Sequence, residues 1–418
     1  MKKIIALVLA LTFCTSLAAC GTTDRAEPYL AAVIRPIDET APDDQKIELI
    51  MAVNNVSPEL QNLVIDFNKQ SEDYKIRMIL YSNSRISSKL FTEDAPDIYA
   101  FDQSSILEDH NSAPYFPLFE DLLPYLDTDP DYSRDTLLPS ILNATLREDK
   151  LYSLPYNFSI STFIAPKSVV GDVQGLTMEE ALDFAAEIGD ETHVFPEWLV
   201  KEEIFKYVLS YTLETFIDTE TNTSSFNSPE FIELLEACNR QHLVLPEGFS
   251  LFPTGDELLS LSWFFGAQAF RNHIEGLEDY AYIGIPSNIN STGSLYCEIQ
   301  FQMSSQSEHK DAVWSFLRTT MDAESSVKMQ SYFSATQAGL TAQLQHQLEK
   351  SESITQEDID EFVNFVSGIE LVQTTPNHEL RLLILEIANT YFSGETSAKT
   401  AATFIEKNVN IYLSEQNS

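Results

Sequence analysis

Several residue types are scarce at once. Glycine supplies 13 of 418 residues, histidine seven, cysteine four and tryptophan three, and only 25 lysines and arginines face 64 aspartates and glutamates. Each shortage excludes something. So few glycines leave little material for phosphate-cradling loops, and the chain carries neither a Gly-x-Ser-x-Gly elbow nor a Gly-rich nucleotide loop. The histidines are scattered singly, and the stretch from His378 to Leu382 (HELRL) lacks the second histidine of a zinc-protease helix. A formal net charge of -39 repels phosphate backbones and leaves no basic amphipathic patch, which excludes nucleic acid as a partner. In a chain this acidic, carboxylates close in sequence say nothing about glycosidase chemistry. The composition therefore points to a non-enzyme that needs no cofactor or metal. Its length suggests two domains, and 44% hydrophobic residues suffice to bury their cores.

One local pattern resembles a calcium loop. Asp127, Asp129 and Asp131 take its first, third and fifth positions. Tyr132 stands where a glycine should permit the sharp turn, however, and Leu138 where a bidentate glutamate should close the loop. A polar turn leading to a helical segment capped near Ser133 explains the stretch better.

The first twenty residues are organised differently from the rest. Lys2 and Lys3 give a positive start, Ile4 through Leu17 an apolar run, and Ala18-Ala19 a small pair ahead of Cys20. That is the layout of a secretory signal, too short to span a bilayer. Leu17-Ala18-Ala19-Cys20 resembles a bacterial lipobox, against the alternative of an ordinary signal cut near Ala19. The expectation is a signal peptide over 1–19, lipidation at Cys20, and a Thr-, Asp- and Pro-rich tether over 20–45. Lipid on Cys20 would anchor an extracytoplasmic protein to the membrane, and no later run is apolar enough to span it. Cys14 leaves with the leader. Cys238, in a helical pattern, and Cys297, in a strand-like one, read as two buried thiols rather than a disulfide.

Order begins at Lys46. Residues 46–53 are a β-type run, and 57–70 a helix with Ser57 as N-cap, Pro58 at its first position, and Leu60, Leu63, Val64 and Phe67 on one face. Residues 74–81 and 97–102 read as strands, which completes a βαβ unit feeding a mostly parallel sheet. Helical patterns follow, one opened by a Thr177–Glu180 capping box. Two strand candidates at 280–287 and 295–304 interrupt them, and the remainder is mostly helical.

Seven segments in order, APDIYAFD, DLLPYLDTDPDYSRDTLLPSILNA, DKLYSLPYNFSISTFIAPK, FNSPEFIELLEACN, YIGIPS, HKDAVWSFL and NTYFSGETSAKTAATFIEKNVNIYLSE, together resemble the extracellular solute-binding proteins of family 1. These are the maltose-binding-protein-like receptors of ABC importers, and the resemblance covers about Lys46 to Glu415. It implies a two-lobed α/β fold of the class II periplasmic-binding-protein type, with a multi-segment hinge. Lobe one maps to 46–155 plus 287–325, and lobe two to 156–286 plus 326–418. It further implies a monomeric receptor for a small solute, a sugar or oligosaccharide, working with ABC permease subunits. The alternatives are a tethered protein that binds a non-sugar solute, or senses or adheres without a permease, and an extracytoplasmic enzyme whose site is assembled from residues that sequence does not pair.

By motif position, the ligand candidates are Phe101, Asp102, Gln103 and Ser104 at the carboxyl end of a sheet strand, where open α/β sheets bind ligands. Asn157, Phe158 and Ser159 follow at the first lobe crossing, with Asn54 and Asn55 after the first strand. Trp263 is either a sugar-stacking platform or a core residue among Leu259, Leu261, Phe264 and Phe265. Three departures from the family stand out. Asp149 replaces a usual glycine, the segment between Tyr81 and Ala95 is short, and tryptophan is scarce.

Overall fold

The computed structural model describes residues 32–34, 46–81, 95–102, 118–147, 149–171, 173, 175–188, 194–195, 199–218, 221, 223–240, 258–275, 280–286, 294–329, 331–369, 371–373 and 378–416. The leader, Cys20 and most of the tether lie outside them. Within the tether, Ala32–Ile34 forms a short strand, β1.

The first ordered unit follows from its pattern. β2 (Ile47–Val53) and β3 (Tyr74–Leu80) pair in parallel over seven positions, and β2 pairs with β4 (Ile98–Asp102) on its other side. The helix Pro58–Gln70 links β2 to β3 and buries Leu60, Leu63, Val64 and Phe67. Ser57 Oγ accepts from Leu60 N at 3.1 Å, which satisfies one of the N–H groups a helix start leaves unpaired. Asn68, on the same helix, completes the edge of β3: it accepts from Ile76 N at 2.7 Å and donates to Ile76 O at 3.0 Å.

The longest strand is β5 (Leu154–Pro166), whose first twelve positions are buried. After it come a small hairpin of β6 (Ile217–Asp218) and β7 (Thr223–Ser224), then β8 (Ser260–Phe264), β9 (Tyr280–Gly284), β10 (Ser294–Met303), β11 (Phe333–Ser334) and β12 (Leu371–Gln373). The main sheet runs β3-β2-β4-β10-β5-β11, with β12 beside β10, and β8 and β9 both beside β5. β10 is antiparallel to both β4 and β5, so the parallel start passes into an antiparallel middle.

Three large apolar cores and one small one pack around this sheet among the described residues. The first joins Leu49, Val64 and Ile98 to Phe301, Trp314 and Phe316. The second joins Phe205, Phe231 and Ile283 to Ile384 and Ile405. The third joins Phe264, Phe270 and Tyr282 to Phe333, Phe362 and Phe365. β5 serves all three: Leu154 and Tyr156 enter the first, Phe163 and Ala165 the second, and Phe158, Ile160 and Ile164 the third. β10 divides similarly, giving Ile299, Phe301 and Met303 to the first core and Leu295 and Cys297 to the third. Cys238 and Cys297 are free thiols in different cores, each pushed up to about 12 by burial.

Local polar features resolve as turns. Asp127 pairs with Arg134 through two bonds of 2.7 and 2.6 Å. Asp129 accepts from the backbone N–H groups of Asp131 and Tyr132, from Trp314 Nε1 at 2.9 Å, and pairs with Arg318 at 2.7 Å. Arg318 also reaches Asp131. The three aspartates of the calcium-like stretch thus neutralise arginines and fasten Trp314, which is buried. Thr177 and Glu180 form the expected capping box. Asp149 adopts φ 61°, the left-handed conformation that a glycine takes at no steric cost.

His273 lies edge-on to Phe264 at 4.9 Å and near Tyr280 at 5.9 Å, with Ser262 Oγ 3.5 Å from its Nε2. Burial pushes it down to about 4 from an ordinary 6.5. The unfolded chain takes up this proton as pH falls below 6.5, whereas the folded chain takes it up only near 4. The stabilisation from a neutral His273 is therefore complete above pH 6.5 and declines toward pH 4. A His273→Phe variant is expected to lose less melting temperature than the wild type between those two pH values. Parallel acid limbs for the two proteins would show that His273 titrates normally.

Candidate functional site

Strand alternation sorts the side chains of β8, β5 and β10 onto two faces. On one face Phe264, Phe158, Ile160, Leu295 and Cys297 enter the third core. The register sets Trp263 opposite Ser161, Ser161 opposite Ser294, and Ser159 opposite Tyr296, so these residues share the other face. Trp263 is 37% exposed, and it stacks on Phe265, itself 48% exposed, with centroids 6.0 Å apart and planes 12° from parallel. Tyr296 lies 5.6 Å from Trp263. Trp263 thus neighbours two other aromatic rings, and it and Phe265 are open to solvent.

Polar groups border this surface. Ser159 Oγ donates to Glu298 Oε1 at 2.5 Å, and Glu298 follows Tyr296 by two residues on β10. Arg381 is half-buried close to Tyr296. Burial holds its guanidinium below its ordinary value, and the Tyr296 phenol acts in the opposite sense. Flat aromatic faces suit the apolar C–H faces of a small ligand, while carboxylate and guanidinium groups offer directional hydrogen bonds to its hydroxyls.

The sequence candidates do not gather in one place. Ser159 and Trp263 meet on the aromatic face. Asp102 and Asn157 flank β10 from opposite sides, each in register with Ile299, where the β10–β5 register shifts on either side. Asn157 is fully buried and its Oδ1 accepts from Ile299 N at 2.8 Å, while its Nδ2 has no partner among the described residues. Its amide therefore shapes the bulge. Phe101 is buried in a small core with Ala52, Tyr99 and Phe119, and Phe158 is buried against Phe333. Asn54 is half-buried and Asn55 exposed just past β2, and Asn55 Oδ1 accepts from Val56 N. Gln103 and Ser104 lie outside the described residues.

Phe265, Tyr296 and Glu298 were not among the sequence candidates. The alternation in LYCEIQF carries the signal for two of them, since it sets Tyr296 and Glu298 opposite Leu295 and Cys297. Phe265 carries none, because in sequence it is one more aromatic beside Phe264.

No family model matches the sequence, and no curated protein does either. Solved structures do match the fold. The sugar-binding protein MalE from Xanthomonas citri superposes with a TM-score of 0.66 at 15% identity, covering 89% of this chain and 98% of that one. A cyclic α-maltosyl-1,6-maltose binding protein from Arthrobacter globiformis gives 0.62 at 14% identity, covering 88% and 99%. An extracellular solute-binding protein of family 1 from Alicyclobacillus acidocaldarius gives 0.59 at 10% identity, covering 88% and 98%. The chain has the two-lobed α/β fold of MalE-like binding proteins. Within this fold, the long strands β5 and β10 carry both the aromatic face and the Ile299 bulge.

The exposure of Trp263 separates it from Trp314. Trp263→Ala should change unfolding free energy by no more than about 1 kcal/mol. Trp314→Ala, which empties a buried site and strands Asp129, should cost about 3–5 kcal/mol. Denaturant titration of the two variants measures both, and a large loss in Trp263→Ala would return that residue to the core.

Proposed function

We propose that this chain is an extracytoplasmic, lipid-anchored receptor that captures a sugar or oligosaccharide and delivers it to the permease of an ABC importer. The observation that carries the reading is the Trp263–Phe265–Tyr296 surface, bordered by Ser159, Glu298 and Arg381. Exposed stacked aromatics give up apolar burial unless a ligand covers them, and a sugar ring offers the matching C–H face. The structurally similar chains named above include a MalE and a maltosyl-maltose binder, which favours carbohydrate over other solutes.

Capture would work by closure of two lobes, 46–155 plus 287–325 and 156–286 plus 326–418. The first and second cores favour that division. The first draws on Leu49 to Leu154 and on Ile299 to Met321, with Tyr156 and Met329 joining from just past those bounds. The second draws on Phe163 to Ile285 and on Leu380 to Val409, and the third takes residues from both lobes. β5 and β10 pass from one core to another, and they would flex as the lobes close on ligand. The chain would bind and release its solute without turnover. Lipid on Cys20 would hold it at the membrane, since among the described residues no helix is long and apolar enough to cross one.

A thermal-shift screen over mono- and oligosaccharides tests the reading, because a ligand at 100 times its dissociation constant adds about 2.7 kcal/mol to stability. Trp263→Ala should weaken binding of the best hit by roughly 1–3 kcal/mol. Saturation with that sugar should also shrink the radius of gyration in small-angle scattering. Stabilisation without compaction would mean a preformed pocket, and full affinity in Trp263→Ala would remove the platform. Cys20→Ser should release the protein from the membrane fraction or leave it unprocessed.

A further inference from the structure

A second cavity lies away from the aromatic face. It has a volume of about 270 Å³ and is lined by Gln268, Arg271, Val327, Met329, His346, Gln347 and Lys350. Three helices build its walls: Ala267–Ile274 supplies Gln268 and Arg271, Ala323–Lys328 supplies Val327, and Gln337–Leu348 supplies His346 and Gln347. Its charge runs against that of the molecule. The chain holds 64 carboxylates and 25 lysines and arginines, yet this wall contains an arginine, a lysine and a histidine and no carboxylate. The nearest acids are Glu275, 3.9 Å from Arg271 Nε, and Glu349, 3.7 Å from His346 Nδ1. Both are exposed and neither lines the cavity, and Glu275 also accepts a 2.6 Å bond from Ser351 Oγ.

Two polar atoms there lack hydrogen bonds. Arg271 Nε and Gln347 Oε1 are both buried without a hydrogen-bond partner among the described residues. Neither atom faces the open volume, so an oxyanion there would take its charge-assisted bonds from the rest of the Arg271 guanidinium and from Lys350. We propose that this cavity is an anion site for a phosphate group, held by Arg271 and Lys350 with Gln347 and His346 beside them. It is independent of sugar capture at the aromatic face. The phosphate could be free or borne on a lipid headgroup, and the net charge of -39 favours the free ion, because it repels an anionic surface.

Isothermal titration with inorganic phosphate in chloride buffer tests the site on the full chain. Saturable binding at about 1 mM is expected, weakened about tenfold or more by Arg271→Gln, the loss of one charge-assisted contact. Lys350→Gln, at an exposed position, should weaken it too and serves if Arg271→Gln fails to fold. A parallel arm measures flotation with phosphatidylglycerol vesicles. Vesicle binding that depends on Arg271 or Lys350, without binding of free phosphate, assigns the same site to a headgroup. Absence of both, or phosphate binding that neither substitution changes, overturns the proposal. Sugar affinity followed by tryptophan fluorescence should be the same in both variants, so failure here leaves the sugar reading standing.

Discussion

A strand buried along nearly its whole length must satisfy its own polar groups inside the protein, and β5 is such a strand. Its backbone pairs with β10 and β11 near its start and with β8 and β9 toward its end. Its side chains add further bonds, while Asn157 Nδ2 and Ser161 Oγ have no partner among the described residues. Asn157 holds the Ile299 N–H, Ser159 donates to Glu298, and Thr162 Oγ1 accepts from Gly284 N at 3.0 Å and donates to the Phe163 carbonyl. Just ahead of the strand, Ser153 donates to Gln300 at 2.8 Å. Polar groups buried in this way are stable only in one register, so they fix β5 against β10. Everything attached to these two strands inherits that register, including the aromatic face.

The acidity of the chain has a structural side as well. Asp127, Asp129 and Asp131 are spent on Arg134, Arg318 and Trp314, and the helix Lys310–Thr319 is tied through Asp129 and Asp131 to the distant turn that carries them. Arg318 also lies 5.5 Å from the Tyr132 ring. One stretch of carboxylates that superficially resembles a metal loop therefore works as an anchor for a buried tryptophan. Most other carboxylates face solvent, where repulsion between copies favours solubility.

Legibility in the sequence followed the physics of each element. β2, β3, β4, β9 and β10 were readable because alternating or continuous β-branched and aromatic runs leave few alternatives. The helix Pro58–Gln70 was readable because Ser57 and Pro58 mark its start chemically. β5 was not, since LPYNFSISTFIAP mixes serine, asparagine and threonine with apolar residues and has a proline at each end. Its polar residues are buried by pairing with residues about 140 positions away, and no local window contains those partners. β8 was hidden in the same way, because SLSWF takes its strand identity from β5. For the candidate site, Trp263 and Ser159 could be named from sequence. That they share a face with Tyr296 depends on the strand pairing alone.

The division of the first core has a consequence for synthesis. Leu49, Leu60, Val64 and Ile98 are made early, but Ile299, Phe301, Trp314 and Phe316, which cover them, come some two hundred residues later. At about 5–20 residues per second, roughly ten to thirty seconds separate the making of β5 from that of β10. Throughout that interval β4 and β5 lack the strand that joins them, and contacts so distant in sequence form slowly in any case. The first core is thus complete only when more than three-quarters of the chain has been made.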